Sequence, residues 1–99
     1  MIDETYDIFL ETLANRRRLK IINVIKNNSK NVSQIVRDTK LEQSSVSHNL
    51  KRLETCGFVT VRKNGKERIY SLNKKTIKPL MKLIENHVNQ FCKNCVKKL

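Results

Sequence analysis

Ninety-nine residues, 38% of them hydrophobic and with only two glycines and one proline, fit one compact domain and leave little room for a flexible linker or a second one. Twenty-one Lys and Arg against nine Asp and Glu give a formal charge of +12, which favours polyanions and makes nucleic acid the leading partner. No stretch approaches the roughly 18 consecutive apolar residues of a spanning helix and no signal peptide precedes the first periodic segment, so a soluble, cytoplasmic protein without a membrane partner is expected.

Ile2, Tyr6, Phe9, Leu10 and Leu13 recur at helical spacing, which predicts an amphipathic first helix over residues 1–14 that needs a surface to pack on. Asn15 can cap a second helix. Either Leu19, Ile22 and Ile25 or Ile21 and Val24 face inward there, with Arg16, Arg17, Arg18 and Lys20 largely solvated. The polar run Asn27, Asn28, Ser29, Lys30 ends it. Asn31 followed three residues later by Gln34 has the form of a capping box, and Val32, Ile35 and Val36 give a third helix that runs to Thr39. After a tight connection from Lys40 to Glu42, Val46, Leu50 and Leu53 fall at i, i+4 and i+7. They form the buried stripe of a fourth helix, Gln43 to Thr55, stopped by Gly57. Two short helices across a three-residue turn, residues 32–55, make the helix-turn-helix pattern.

Beyond Gly57 the period changes. Phe58, Val59, Thr60 and Val61 favour a strand, Asn64-Gly65 is a strong two-residue turn signal, and Ile69 to Leu72 returns, so residues 58–72 read as a β-hairpin. Pairing about that turn sets Arg62 opposite Glu67 and Val61 opposite Arg68, leaving Lys63, Lys66 and Arg68 at a basic tip, a wing. Ile77, Leu80, Met81, Ile84, Val88, Phe91, Cys92, Cys95, Val96 and Leu99 predict a long last helix over residues 76–99, with Pro79 tolerated in its first turn. A stripe this long exceeds what one small domain covers. It reads as a dimer seam with Tyr6, Phe9, Leu13, Ile84, Val88, Phe91 and Cys95 as interface candidates. The expected architecture is mostly α with a β-hairpin wing, a winged helix-turn-helix of order α-α-α-α-β-β-α in a single domain, homodimeric through its N- and C-terminal helices.

With Val46, Leu50 and Leu53 inward, a step of about 100° per residue puts Ser44, His48, Lys51 and Thr55 on the opposite face of the fourth helix, flanked by Ser45, Ser47 and Arg52. Such a face suits double-stranded DNA. Short hydroxyls lie at the helix start, where base edges are nearest, and cations lie further on, where phosphates run. Gln43 can offer a bidentate pair to adenine, Ser44, Ser45 and Ser47 can donate or accept, and His48 can reach a purine acceptor. Lys51 and Arg52, with Arg62, Lys63, Lys66 and Arg68 of the wing, supply positive charge for the backbone or minor groove.

The runs Leu13-Ala14-Asn15, Arg18-Leu19-Lys20-Ile21-Ile22, Gln43-Ser44-Ser45-Val46-Ser47-His48-Asn49-Leu50-Lys51-Arg52-Leu53 and Gly57-Phe58-Val59 resemble the ArsR/SmtB family of winged-helix repressors. That resemblance implies a homodimer bound to operator DNA upstream of repressed genes, released in many members by a metal, a metalloid or an oxidant. Two positions depart from the family pattern: Arg16 stands where Pro is frequent, and Glu42 where Ser often caps the recognition helix. The family's Cys-x-Cys stretch has no counterpart in Ser33-Gln34-Ile35-Val36-Arg37-Asp38, and Glu85 with His87 supplies only half of its last-helix ligand set.

Three cysteines without a secretion signal are expected as reduced thiols. Cys92 and Cys95 stand three apart on one helical face, able to hold a thiophilic metal or metalloid ion, to act as a redox pair, or simply to pack in the seam. Cys56 reads as packing. A winged-helix module for protein or RNA contacts is the competing function. No Gly-rich phosphate loop, nucleophile triad or paired acids mark an enzyme.

Overall fold

The computed structural model describes residues 2–99. Four helices come first, α1 (Glu4–Leu13), α2 (Arg16–Ile25), α3 (Val32–Thr39) and α4 (Gln43–Thr55). An antiparallel hairpin of β1 (Val59–Asn64) and β2 (Glu67–Leu72) follows, then α5 (Ile77–His87), a π-helical turn (Val88–Cys92) and α6 (Lys93–Lys98). The order is that of a winged helix-turn-helix, with one break in its last helix.

Local chemistry sets the helix ends. Asp3 accepts from the Thr5 amide before α1, and Asn15 accepts from the Arg18 amide before α2. At α3 the capping box forms as expected, with the Asn31 side chain 2.8 Å from the Gln34 amide and the Gln34 side chain 2.9 Å from the Asn31 amide. Lys40 closes α3 at φ +62°, a left-handed turn that aims the chain into α4. α4 ends in a Schellman closure: the Gly57 amide donates to Glu54 and the Phe58 amide to Leu53, at 3.0 and 2.8 Å. Gly57 sits at φ +77°, where a side chain is disfavoured.

Ile21, Ile22, Ile25, Ile35, Val46, Leu50, Leu53, Phe58, Val59, Tyr70, Leu72 and Ile77 make one core, so the helix-turn-helix and the base of the wing share a single apolar centre. On α2 the inward face takes members of both expected stripes: Ile21, Ile22 and Ile25 are buried, whereas Leu19 is exposed. Phe9 stacks on Phe58 with ring centroids 5.1 Å apart, and Leu13 joins the same core, so these two interface candidates already pack within the chain itself.

Three further expectations are corrected. Arg18 is not solvated. Only 8% of it is exposed, and its guanidinium is spent on acceptors of α1 and α4. The hairpin register is shifted by two: Val59 faces Leu72, Val61 faces Tyr70, Arg62 faces Ile69 and Lys63 faces Arg68. Gly65 and Lys66 form the turn, with Gly65 at φ +66° and no positive φ at Lys66, the pattern of a II′ turn. The shift places apolar residues across from apolar residues on the covered face, where the expected register set Val61 against Arg68. Finally, the helix over residues 76–99 is interrupted at Val88–Cys92, where the Lys93 amide reaches back five residues to Val88. Ile77 is the last buried residue of the chain, so no core packing holds residues 88–99 to a continuous α ladder.

That final segment projects. The radius of gyration is 14.5 Å, above the ~13 Å of a compact chain of this length. Val88, Phe91, Val96 and Leu99 stay exposed along it, as does Leu83 on α5.

Candidate nucleic-acid interface

α4 is anchored from beneath by Val46, Leu50 and Leu53, all essentially inaccessible. Its other side is open. Gln43, Ser44, Ser47, His48, Lys51 and Thr55 are exposed, while Ser45 and Arg52 are half-buried on the flanks. Glu42 makes no side-chain capping bond, so the acid before the helix leaves the first-turn amides uncovered. The expected reading face is therefore brought together as one surface. Two of its flanking members are engaged within the fold: Arg52 Nε donates to Thr12 Oγ1 at 3.1 Å, and the Ser45 carbonyl accepts from Asn49 at 2.8 Å.

The wing stands next to the start of the helix-turn-helix because two contacts tie it there. Lys30 and Tyr70 exchange backbone hydrogen bonds of 3.0 and 2.8 Å, and Asn31 Nδ2 donates to Glu67 Oε1 at 2.7 Å. Glu67, the acid of the wing, is thus turned toward α3. Arg62, Lys63, Lys66 and Arg68 are all exposed. Among the described residues the ion pairs are Lys26–Glu85, Lys30–Asp38 and Arg37–Asp38, and none includes a cation of the wing or of α4. Lys63 directly opposite Arg68 is a like-charge pair, an arrangement that costs stability unless an anion lies between. Asp38, bonded by Lys30 and Arg37, has its carboxyl pulled below the usual value, with the Lys30 hydrogen bond the largest cause.

Thr12, Arg18 and Asn49 escaped the reading of the sequence. Asn49 lies three residues after Val46 and four before Leu53, which places it on the buried stripe of α4. A polar side chain there needs a partner, and that spacing was the available signal.

Cys92 and Cys95 are close along the chain, and the Cys95 thiol donates to the Cys92 carbonyl at 3.1 Å. Partial burial first, then the hydrogen bond and charge of Cys95, push the Cys92 thiol up. That disfavours the thiolate that metals and disulfides require. Among the described residues no three His, Cys, Asp or Glu side chains gather where a metal could be held. Cys56 packs on the core with its sulfur 3.5 Å from Thr12 Oγ1. Among the described residues no helix is long and apolar enough to cross a membrane.

The model of the bacterial regulatory proteins of the arsR family matches residues 15–61, from the start of α2 into the wing. The transcriptional repressor PagR of Bacillus anthracis is 39% identical over 77 residues, 76% of this chain and 76% of PagR. Its crystal structure aligns with a TM-score of 0.71 at 33% identity, covering 82% of this chain and 93% of that one. The transcriptional activator HlyU of Vibrio cholerae is 30% identical over 77 residues, 78% of this chain and 71% of HlyU. The homodimeric winged helix-turn-helix DNA-binding domain of Mb0332 from Mycobacterium bovis aligns with a TM-score of 0.84 over 92% of this chain and 84% of that one. At 23% identity that likeness concerns the fold alone. A chain matched by this family's model and this similar to PagR and HlyU is a DNA-binding transcriptional regulator, and it belongs to the ArsR family.

Proposed function

We propose that this regulator is a repressor that occupies a palindromic operator as a homodimer, each protomer laying α4 in a major groove and its wing along the flanking backbone. The observation that carries the reading is the division of α4. Its buried side is locked by Val46, Leu50 and Leu53, while the side chains of Gln43, Ser44, Ser47 and His48 stand exposed, with no hydrogen-bond partner among the described residues. Groups of that kind match the donor and acceptor pattern of base edges. Lys51, Arg62, Lys63, Lys66 and Arg68 then serve the phosphates, which adds affinity with little sequence content. Repression is favoured over activation by the higher identity to PagR than to HlyU.

Dimerisation follows from surface that the protomer leaves uncovered. Tyr6 and Leu10 on α1, with Val88 and Phe91 in the last segment, are 45, 56, 40 and 54% exposed. Covering them against a second copy removes apolar surface from water at about 25 cal/mol per Å² and offsets the repulsion between two chains of +12. A thiophilic ion at Cys92 and Cys95 would need further donors from that second copy. A module for RNA or protein contacts would have no need of the graded Ser, His and Lys face on α4.

Sedimentation of the free protein and footprinting on a selected operator test this reading. A dimer that protects two half-sites about one helical turn apart, or a multiple of it, is expected. A monomer, or a footprint without dyad symmetry, would contradict it.

A further inference from the structure

Arg18 is the one buried charged residue among the described residues, and charged side chains are seldom buried unless their donors are matched. Its donors are matched by two different helices. Nε donates to the Thr12 carbonyl at 2.7 Å and an Nη donates to the Glu11 carbonyl at 3.1 Å, both at the C-terminal end of α1. Those carbonyls lie beyond the last intrahelical amides and need partners, and a cation there also faces the negative end of the helix. The other Nη donates to Asn49 Oδ1 on α4 at 3.1 Å.

A guanidinium only donates, so the Asn49 amide oxygen must face Arg18 and the amide nitrogen must face away. That nitrogen lies 2.8 Å from the Ser45 carbonyl and 3.4 Å from the Ser45 hydroxyl, in the first turn of α4. A second strut runs in parallel one turn on, where Arg52 Nε donates to Thr12 Oγ1 at 3.1 Å. Thr12 Oγ1 is itself fixed by its 2.7 Å bond to the Ile8 carbonyl of α1.

We propose that Arg18 and Asn49 are positioning residues for DNA sequence discrimination: they lock the first turn of α4 to the end of α1, and so set where Ser44, Ser45, Ser47 and His48 meet the bases. The inference rests on α4 being the reading helix. Base-edge contacts tolerate displacements of only about 0.5 Å, so they depend on residues that hold the reading groups in place. Lys side chains reaching phosphates adjust freely. Loosening the relay therefore acts on the choice among sequences more than on attraction to DNA as such. Because α1 also carries the exposed Tyr6 and Leu10, the relay makes the dimer-facing helix and the reading helix one rigid unit.

Asn49→Asp is the discriminating variant. It keeps an oxygen for Arg18 and a near-identical shape, but replaces the donor to Ser45 with an acceptor. Arg18→Lys, which keeps the charge and loses the three-way fork, is the second. Affinities for the selected operator and for a random duplex would be measured by anisotropy, normalised to active protein, with melting temperature recorded alongside. The core variant Ile25→Val serves as a destabilised control that touches none of these bonds.

For Asn49→Asp and Arg18→Lys the ratio of operator to random affinity is expected to fall about tenfold, within the usual range for disrupting a hydrogen-bonded network. Ile25→Val is expected to keep the wild-type ratio. The double variant should lose no more than the worse single, since both cut one path. A folded Asn49→Asp protein with the wild-type ratio overturns the proposal, as does an equal loss in Ile25→Val. Wild-type protein without any preference for the selected duplex instead overturns the assignment of α4 as the reading helix.

Discussion

Replacing Lys63, Lys66 and Arg68 together by Gln isolates the contribution of the wing. Each is exposed and makes no ion pair among the described residues, so their removal leaves the core and the hairpin backbone intact and relieves the Lys63–Arg68 repulsion. If all three meet phosphates in each half of a dimer, the variant releases about six fewer counterions on binding. At about 0.9 per phosphate contact, the slope of log affinity against log salt becomes shallower by about five. Between 50 and 200 mM salt the variant would then lose about three decades less affinity than the wild type. Fluorescence anisotropy over that range, on the operator and on a random duplex, reads both slopes. Because phosphates carry no sequence information, the two duplexes should respond alike and the ratio between them should stay near its wild-type value. An unchanged slope would refute a wing on the backbone, and a collapse of the ratio would mean that the wing reads bases.

Leu50→Ala empties a fully buried position beneath α4 and is expected to cost about 2–5 kcal/mol in chemical denaturation. Asn31→Ala removes both the α3 capping box and the tie to Glu67, a loss of about 1–2 kcal/mol by the same measurement. The Asp38 carboxyl is held below its ordinary value of 3.8, first by Lys30. The unfolded chain therefore binds the proton more readily, and the stabilisation is complete above that value and disappears as pH falls through the folded one. Asp38→Asn should accordingly flatten the acid limb of a stability–pH curve and leave the neutral region nearly unchanged in slope.

The helices and caps were legible because their signals are local. Asn31 with Gln34, Gly57 after Thr55, and the Val46, Leu50, Leu53 spacing each specify one feature within a few residues. The hairpin was legible in existence and missed in register. Asn-Gly is a strong turn signal, yet the pairing of Val59 with Leu72 and of Val61 with Tyr70 over the core moved the turn one residue along. Arg18 was misplaced for a different reason. In Arg16-Arg17-Arg18 the first two are exposed, and only acceptors on other helices, the Glu11 and Thr12 carbonyls of α1 and Asn49 of α4, distinguish the third. The π-helical turn left no trace in the spacing, since Val88, Phe91, Cys92 and Cys95 follow helical intervals straight through it. On α1, periodicity grouped Phe9 and Leu13 with Tyr6 and Leu10, although the first two face the chain's own core and the others face outward.

The most direct test of the central claim is an unbiased selection of duplex DNA by the wild-type protein and by a Ser44→Ala, His48→Ala double variant. These substitutions change only exposed groups of α4. The account predicts that the wild type enriches one sequence with dyad symmetry. The variant should lose that preference at the positions nearest the start of α4 while keeping its affinity for random duplex within about threefold, since neither change removes a phosphate-binding cation. Recovery of the same sequence by both proteins, with equal discrimination, would contradict the claim that this face of α4 reads DNA.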